Sequence, residues 1–231
     1  MFFIYADNLK HNKWAIGVLT LIVLQTLLFL LTTAINASSE STVMGLEFVP
    51  LQFSLHPLRS AYTLVSAPFL HLNIWHLAGN VMFFLAFGRT LETLLGTPLF
   101  LAAYLFIGAL AFLGSWMLNP DSTIPIIGSS GAIAFLMGVY LVIFPKAKLR
   151  MIFIIPPFFK RFLLPAYVFL FLWIALQLFD VFADSGERDG VAYATHALGF
   201  LIGMCCGMAW KELAADTDRQ IELLTDESHH V

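Results

Sequence analysis

One serine and one histidine are the residue types here best suited to covalent chemistry. Ser130 lies in Gly128-Ser129-Ser130-Gly131. Glycines there let the backbone turn sharply and let another group approach closely. His196 lies in an otherwise apolar run. A hydroxyl beside an imidazole is a nucleophile with its base, and imidazole suits proton transfer near neutral pH. Acyl transfer also needs donors for the developing oxyanion. His76 and Asn80 are four residues apart, so they share one helix face. They offer a ring N–H and a side-chain amide. The backbone N–H of Ser130 is a third donor if Ser130 opens a helix, where the first N–H groups lack intrahelical partners. No Asp or Glu stands inside these apolar runs to orient His196, which points to a Ser–His dyad and not a triad.

Each residue alone has a plainer reading. Serine between glycines is a common packing motif of membrane helices, and a lone His or Asn there often joins helices by a hydrogen bond. Three histidines suggest a metal, but the chain has no HExxH and no accompanying carboxylate, so no metal and no cofactor is expected. The combination is more specific than any member.

The elements that must position these residues are set by where charge is missing. Of 231 residues, 59% are hydrophobic and only 12% charged, with a net charge of −3. A soluble domain carries about 25% charged residues. The composition excludes a disordered chain and a disulfide scaffold, argues against a soluble enzyme, and leaves no basic footprint for nucleic acid. Uncharged stretches enclose residues 14–39, 60–88, 93–120, 122–145, 162–179 and 190–210. Each is long enough for a helix to cross a ~30 Å hydrocarbon core. The expected fold is therefore an all-α, polytopic bundle of six spans, near 14–36, 74–94, 97–118, 129–145, 163–182 and 193–211. The first is expected to be retained, because its apolar run is too long for a signal peptide and no clean cleavage site follows. The expected organisation is a cytoplasmic segment 1–13, a membrane domain 14–211 and a polar tail 212–231.

Orientation follows from Lys and Arg. With both termini in the cytoplasm, ten basic residues lie inside, and only Arg59 and Arg188 lie outside. Spans two, four and six then run in one direction, with His71, His76, Asn80, Ser130 and His196 in their outer parts. Two small-residue stripes would let spans four and six approach closely. Ala134 and Gly138 follow Ser130, and Gly199, Gly203 and Gly207 follow His196. Cys205 and Cys206 are adjacent and read as small outward- or helix-facing residues. The first loop, 37–73, is too apolar to be freely solvated and is expected to lie partly in the outer interface. The run MIFIIPPFF (151–159) is too short to span and is expected at the inner interface. Arg89 and Glu92 read as structural, pairing with each other, with loop charges or with backbone groups.

These residues resemble the rhomboid intramembrane serine proteases. The span FLHLNIWHLAGNVMFFLAFGRTLETLLG (69–96) is similar to that family's histidine-rich second span, with its HxxxN pair and GxxxE. GSSGAIAFLMG (128–138) resembles the GxSG nucleophile motif with its trailing glycine. HALGFLIG (196–203) resembles the base motif. The resemblance implies that Ser130 attacks a peptide bond, with His196 as base and then acid. It implies an oxyanion hole from His76, Asn80 and the Ser130 backbone. Gly128, Gly131, Ala134, Gly138, Gly199, Gly203 and His71 would support the motifs by packing. Implied partners are the lipid bilayer and single-span membrane proteins, entering between spans two and five and cut near a helix-destabilised stretch. Two departures stand out. The first loop reads RSAYTLVSAPFLH (59–71), without the family's common Trp-Arg pair. Position 134 is Ala where many members have an aromatic against the base. Phe135 or an aromatic from another span is the substitute.

Two other classes compete. A non-catalytic, rhomboid-like protein that binds membrane clients would usually have lost the Ser or the His. A transporter would continue its polar residues inward, and none do so here. The compact plan suggests a bacterial plasma membrane.

Overall fold

Apolar stretches become helices because, without water, the backbone must satisfy its own hydrogen bonds. The computed structural model describes residues 2–10, 14–36, 45–155, 157–182 and 193–213. The tail beyond Leu213, Lys13, most of the apolar loop's first third, and Asp184, Glu187 and Asp189 lie outside the described residues. The helices are α1 (Ile16–Asn36), α2 (Pro50–Leu55), α3 (Pro57–Ser60), α4 (Thr63–Ser66), α5 (Ile74–Phe83), α6 (Arg89–Leu95), α7 (Thr97–Leu118), α8 (Ser130–Ile143), α9 (Ala166–Phe182) and α10 (Tyr193–Leu213). A π-helical turn, Phe84–Gly88, joins α5 to α6. Ile16–Ile35, Thr97–Leu118 and Tyr193–Leu213 are long and apolar enough to cross a membrane, and Ser130–Ile143 and Ala166–Val181 are apolar but shorter. Pro57–Phe69 and Ile74–Leu95 form a pair bent by 77°. The expected helical membrane bundle is thus present, with helix ends close to the expected ones.

α8 sits at the centre. Nearly its whole surface is buried, and Ala134, Met137 and Tyr140 are fully so. Its 14 residues extend only about 21 Å at 1.5 Å per residue. The irregular backbone before it therefore enters the protein, where its polar groups need partners. The first loop supplies them. Phe48 and Ile126 exchange backbone hydrogen bonds, Leu51 N–H donates to Ser122 O at 2.9 Å, and Gly128 N–H donates to Ala67 O at 2.9 Å. Phe48, Ala67, Phe112 and Ile126 form a small core beneath. Part of the loop is thus a folded layer holding the chain before Ser130, while Leu55, Leu58 and Val65 remain exposed on it, as an interfacial segment would leave them.

At the other end of α8 lies a sheet that the helical reading does not anticipate. Strands β1 (Phe2–Asp7), β2 (Lys148–Ile155) and β3 (Phe158–Pro165) form an antiparallel sheet in the order β1-β2-β3. The run MIFIIPPFF is the tip of this hairpin, where Ile155 pairs with Phe158. Asp7 ties the sheet to the bundle. Its buried carboxylate accepts from Thr90 Oγ1 and, at 2.9 Å, from Tyr140 OH.

Glu92 does pair with backbone groups. Its carboxylate accepts from Gly17 N–H at 2.7 Å and Val18 N–H at 2.8 Å, and from Thr97 Oγ1. An anion at a helix N-terminus satisfies orphan donors and favours the helix dipole. Glu92→Ala should lower unfolding free energy by about 2–3 kcal/mol, read by denaturant unfolding in detergent. A change under about 0.5 kcal/mol would show that Glu92 does not hold α1.

Candidate active site

Ser130 is the first residue of α8. Gly128 turns the chain into it at φ +110, and a Cβ there would lie 2.8 Å from the His76 ring. Only glycine fits both the backbone conformation and the contact. Asn73 caps α5 by accepting from His76 N–H at 2.9 Å, which sets where α5 begins.

His196, near the start of α10, meets Ser130 with Nε2 2.7 Å from Oγ. Its Nδ1 lies 2.7 Å from Gln177 Oε1 on α9. An amide oxygen only accepts, so Nδ1 carries the proton and donates. Nε2 is then unprotonated and accepts from the Ser130 hydroxyl. Gln177 thereby selects the tautomer in which the imidazole is the serine's proton acceptor. Trp173, one turn earlier on α9, lies with its ring centroid 5.9 Å from that of His196, and Tyr193 approaches edge-on at 6.5 Å. The aromatic missing at Ala134 is supplied from another span, not by Phe135.

The small residues on α8 and α10 explain how the pair is brought together. A Cβ on Gly138 would lie 2.1 Å from Phe200 O, and one on Gly203 would lie 2.1 Å from Phe135 O. A Cβ on Gly199 would lie 2.7 Å from Gly131 O and 3.5 Å from the Ala134 methyl. Gly131 faces Ala111 on α7, 2.6 Å from where its own Cβ would be. Ser115 and Thr195 share a hydrogen bond that joins α7 to the residue before His196.

On the other side of the site, Asn80 Nδ2 lies 2.9 Å from His71 Nε2. The amide nitrogen is a donor, so His71 accepts. His71 packs edge-on against His76, with centroids 5.0 Å apart. His71 thus orients Asn80 and buttresses His76. A cavity of about 230 Å³ lies between the groups, lined by His76, Asn80, Ser130, Gln177 and His196 with Trp75, Phe112 and Trp173. It has room for several water molecules. Among the described residues there is no cluster of His, Cys, Asp and Glu suited to a metal. Cys205 and Cys206 are free and exposed.

Of the expected residues, His76, Asn80, Gly128, Ser130, Gly131 and His196 line this cavity, His71 lies behind Asn80, and Ala134, Gly138, Gly199 and Gly203 lie along the contact of α8 with α10. Gln177 is the one missed. A signal was available, since it is a polar residue inside an apolar span, one turn after Trp173. It shares the buried face of α9 with Leu170 and Ile174.

Comparison with known proteins shows the family. The family model described as Rhomboid domain matches residues 58–212. The chain is 30% identical over 137 residues to Rhomboid-like protein 11, chloroplastic, of Arabidopsis thaliana, covering 59% of this chain and 45% of that protein. It is 32% identical over 120 residues to Rhomboid protease GluP of Bacillus subtilis, covering 52% of this chain and 23% of that protein. It is 31% identical over 101 residues to Rhomboid protein 1, mitochondrial, of Saccharomyces cerevisiae, covering 42% and 29%. The chain thus spans less than half the length of these relatives. With a match that runs from the first loop through the helix carrying His196, the chain belongs to the rhomboid family.

Proposed function

We propose that this protein is an intramembrane serine endopeptidase acting on single-span membrane proteins. The observation that carries the reading is the 2.7 Å approach of Ser130 Oγ to an imidazole nitrogen whose other side is bonded to Gln177. The printed name of the Bacillus subtilis relative, a protease, supports it. In this reading six segments cross the membrane, both termini are cytoplasmic, and the site opens to the outer side.

The chemistry follows from the groups present. Ser130 Oγ attacks the peptide carbonyl carbon while His196 Nε2 takes its proton. The carbonyl oxygen becomes an oxyanion. The Ser130 N–H, the His76 ring and the second amide hydrogen of Asn80 lie around the cavity to receive it. His196 returns the proton to the leaving amine, the C–N bond breaks and an acyl-serine remains. Water, deprotonated by His196, then releases the acid and restores Ser130. The apolar bundle strengthens each of these interactions by excluding bulk water.

The test uses purified protein in liposomes with a single-span reporter and a fluorophosphonate probe. Wild type should cleave the reporter and become labelled at Ser130, and His196→Ala should abolish labelling. Equal processing by wild type and Ser130→Ala would sink the reading.

Gln177 is a positioning residue in this scheme. Gln177→Ala should lower kcat by about 10- to 100-fold with a small change in KM, because the imidazole loses its preferred tautomer. Gln177→Glu keeps an acceptor and should retain more activity than alanine. Equal kcat in wild type and Gln177→Ala would remove Gln177 from the mechanism.

A further inference from the structure

Residues 146–165 read KAKLRMIFIIPPFFKRFLLP, with five of the chain's 12 basic side chains and no acidic one. The hairpin of β2 and β3 displays them in a definite pattern. Antiparallel register places Arg150 opposite Leu163 and Ile152 opposite Arg161. Side chains alternate between sheet faces, so Lys148, Arg150 and Arg161 share one face. With Lys10, just beyond β1, they line a hollow of about 660 Å³ whose remaining walls include Phe162 and Leu163. Among the described residues no carboxylate lines it. Four cations around a hollow that also has Tyr5, Leu9 and Leu163 in its walls suit an anion that carries hydrocarbon.

A second observation points the same way. Among the described residues, β1 pairs with β2 from Leu149 to Phe153. At the hairpin tip Phe158 is 76% and Phe159 69% exposed. Phenylalanines so exposed fit the apolar boundary of a bilayer better than water. β3 also ends at Pro165 and α9 begins at Ala166, so the hairpin is rooted where an apolar helix begins.

We propose that this face binds an anionic phospholipid of the surrounding bilayer. Lys10, Lys148, Arg150 and Arg161 would hold its headgroup, and the tip at Phe158 and Phe159 would rest in the same leaflet. Basic side chains near an anionic leaflet each strengthen binding, by about fivefold in partition. The binding needs a bilayer and no peptide hydrolysis.

The test places a nitroxide at Phe159→Cys in a Cys205→Ala, Cys206→Ala background, with full-length protein in vesicles. In phosphatidylcholine with phosphatidylglycerol, the label should be more accessible to oxygen than to a water-soluble nickel chelate. A label at Leu172, exposed on α9, is the lipid reference. Pure phosphatidylcholine, or Arg150→Gln with Arg161→Gln, should raise nickel accessibility several-fold. If the arginine pair proves necessary for folding, Lys10→Gln with Lys148→Gln makes the same comparison from the opposite rim. A label open to nickel in the anionic vesicles overturns the proposal. So does a depth indifferent to phosphatidylglycerol and to charge removal, which would leave apolar contact alone. Shielding from both reagents overturns it too, and would point to a second copy or another protein on the edge strand.

Discussion

Ser130→Ala and His196→Ala should each reduce reporter cleavage by at least ~10⁴-fold, and the double variant should be scarcely worse than either single one. In the proposed mechanism nucleophile and base act as a unit, so removing one leaves the other without a task. In Ser130→Ala stability should barely change. Ser130 is the first residue of α8 and faces the cavity, so losing its hydroxyl leaves water where the hydroxyl was. His196→Ala removes a ring that contacts Trp173 and Gln177, and a loss of about 1–3 kcal/mol is expected there. The measurement is single-turnover cleavage in liposomes beside thermal unfolding of the same preparations. Strictly additive losses in the double variant would mean that the two residues act separately, despite their 2.7 Å contact.

Gly203→Ala and Gly138→Ala should damage both fold and activity. Each added methyl would sit 2.1 Å from a backbone carbonyl oxygen of the facing helix. Close C–H···O contacts settle near 3.3–3.6 Å, so α8 and α10 must separate by about 1 Å. Backbone cannot turn aside as a side chain can. Overpacking of this kind costs about 1–3 kcal/mol, and a 1 Å shift between reacting groups costs about 100-fold in rate. Gly207→Ala provides a graded control, because its methyl would meet the Val142 side chain at 3.1 Å. The expected order of damage is Gly203 and Gly138 first, then Gly199, then Gly207. Wild-type rate and melting temperature in Gly203→Ala would refute this packing of α8 on α10.

Much of the site is legible in the chain because each of its signals is local. Loss of charge over about 20 residues marks a membrane helix wherever its neighbours lie. Histidine, asparagine and serine inside such helices are conspicuous because they are costly there. The stripes from Ala134 to Gly138 and from Gly199 to Gly207 announce close contact, and α8 and α10 do make it. Glu92 was legible as structural, but its partner was not. The N-terminus of α1 lies 75 residues away in sequence.

What only the tertiary structure decided is held by contacts between distant segments. Gln177 and Trp173 on α9 orient His196, yet nothing in local composition says which face of α9 turns toward α10. The stretch 151–159 has strand-like residues on both sides of its prolines, but β1, which completes the sheet, begins at the other end of the chain. The first loop's apolar residues fit an interfacial segment as well as a packed one, until Phe48 pairs with Ile126. Hydropathy along the chain therefore determined which segments leave water and which polar residues go with them. The pairing of those segments in space determined the imidazole's proton, the sheet and the support beneath Ser130, because hydrogen-bond partners are chosen by proximity in the fold and not by position in the sequence.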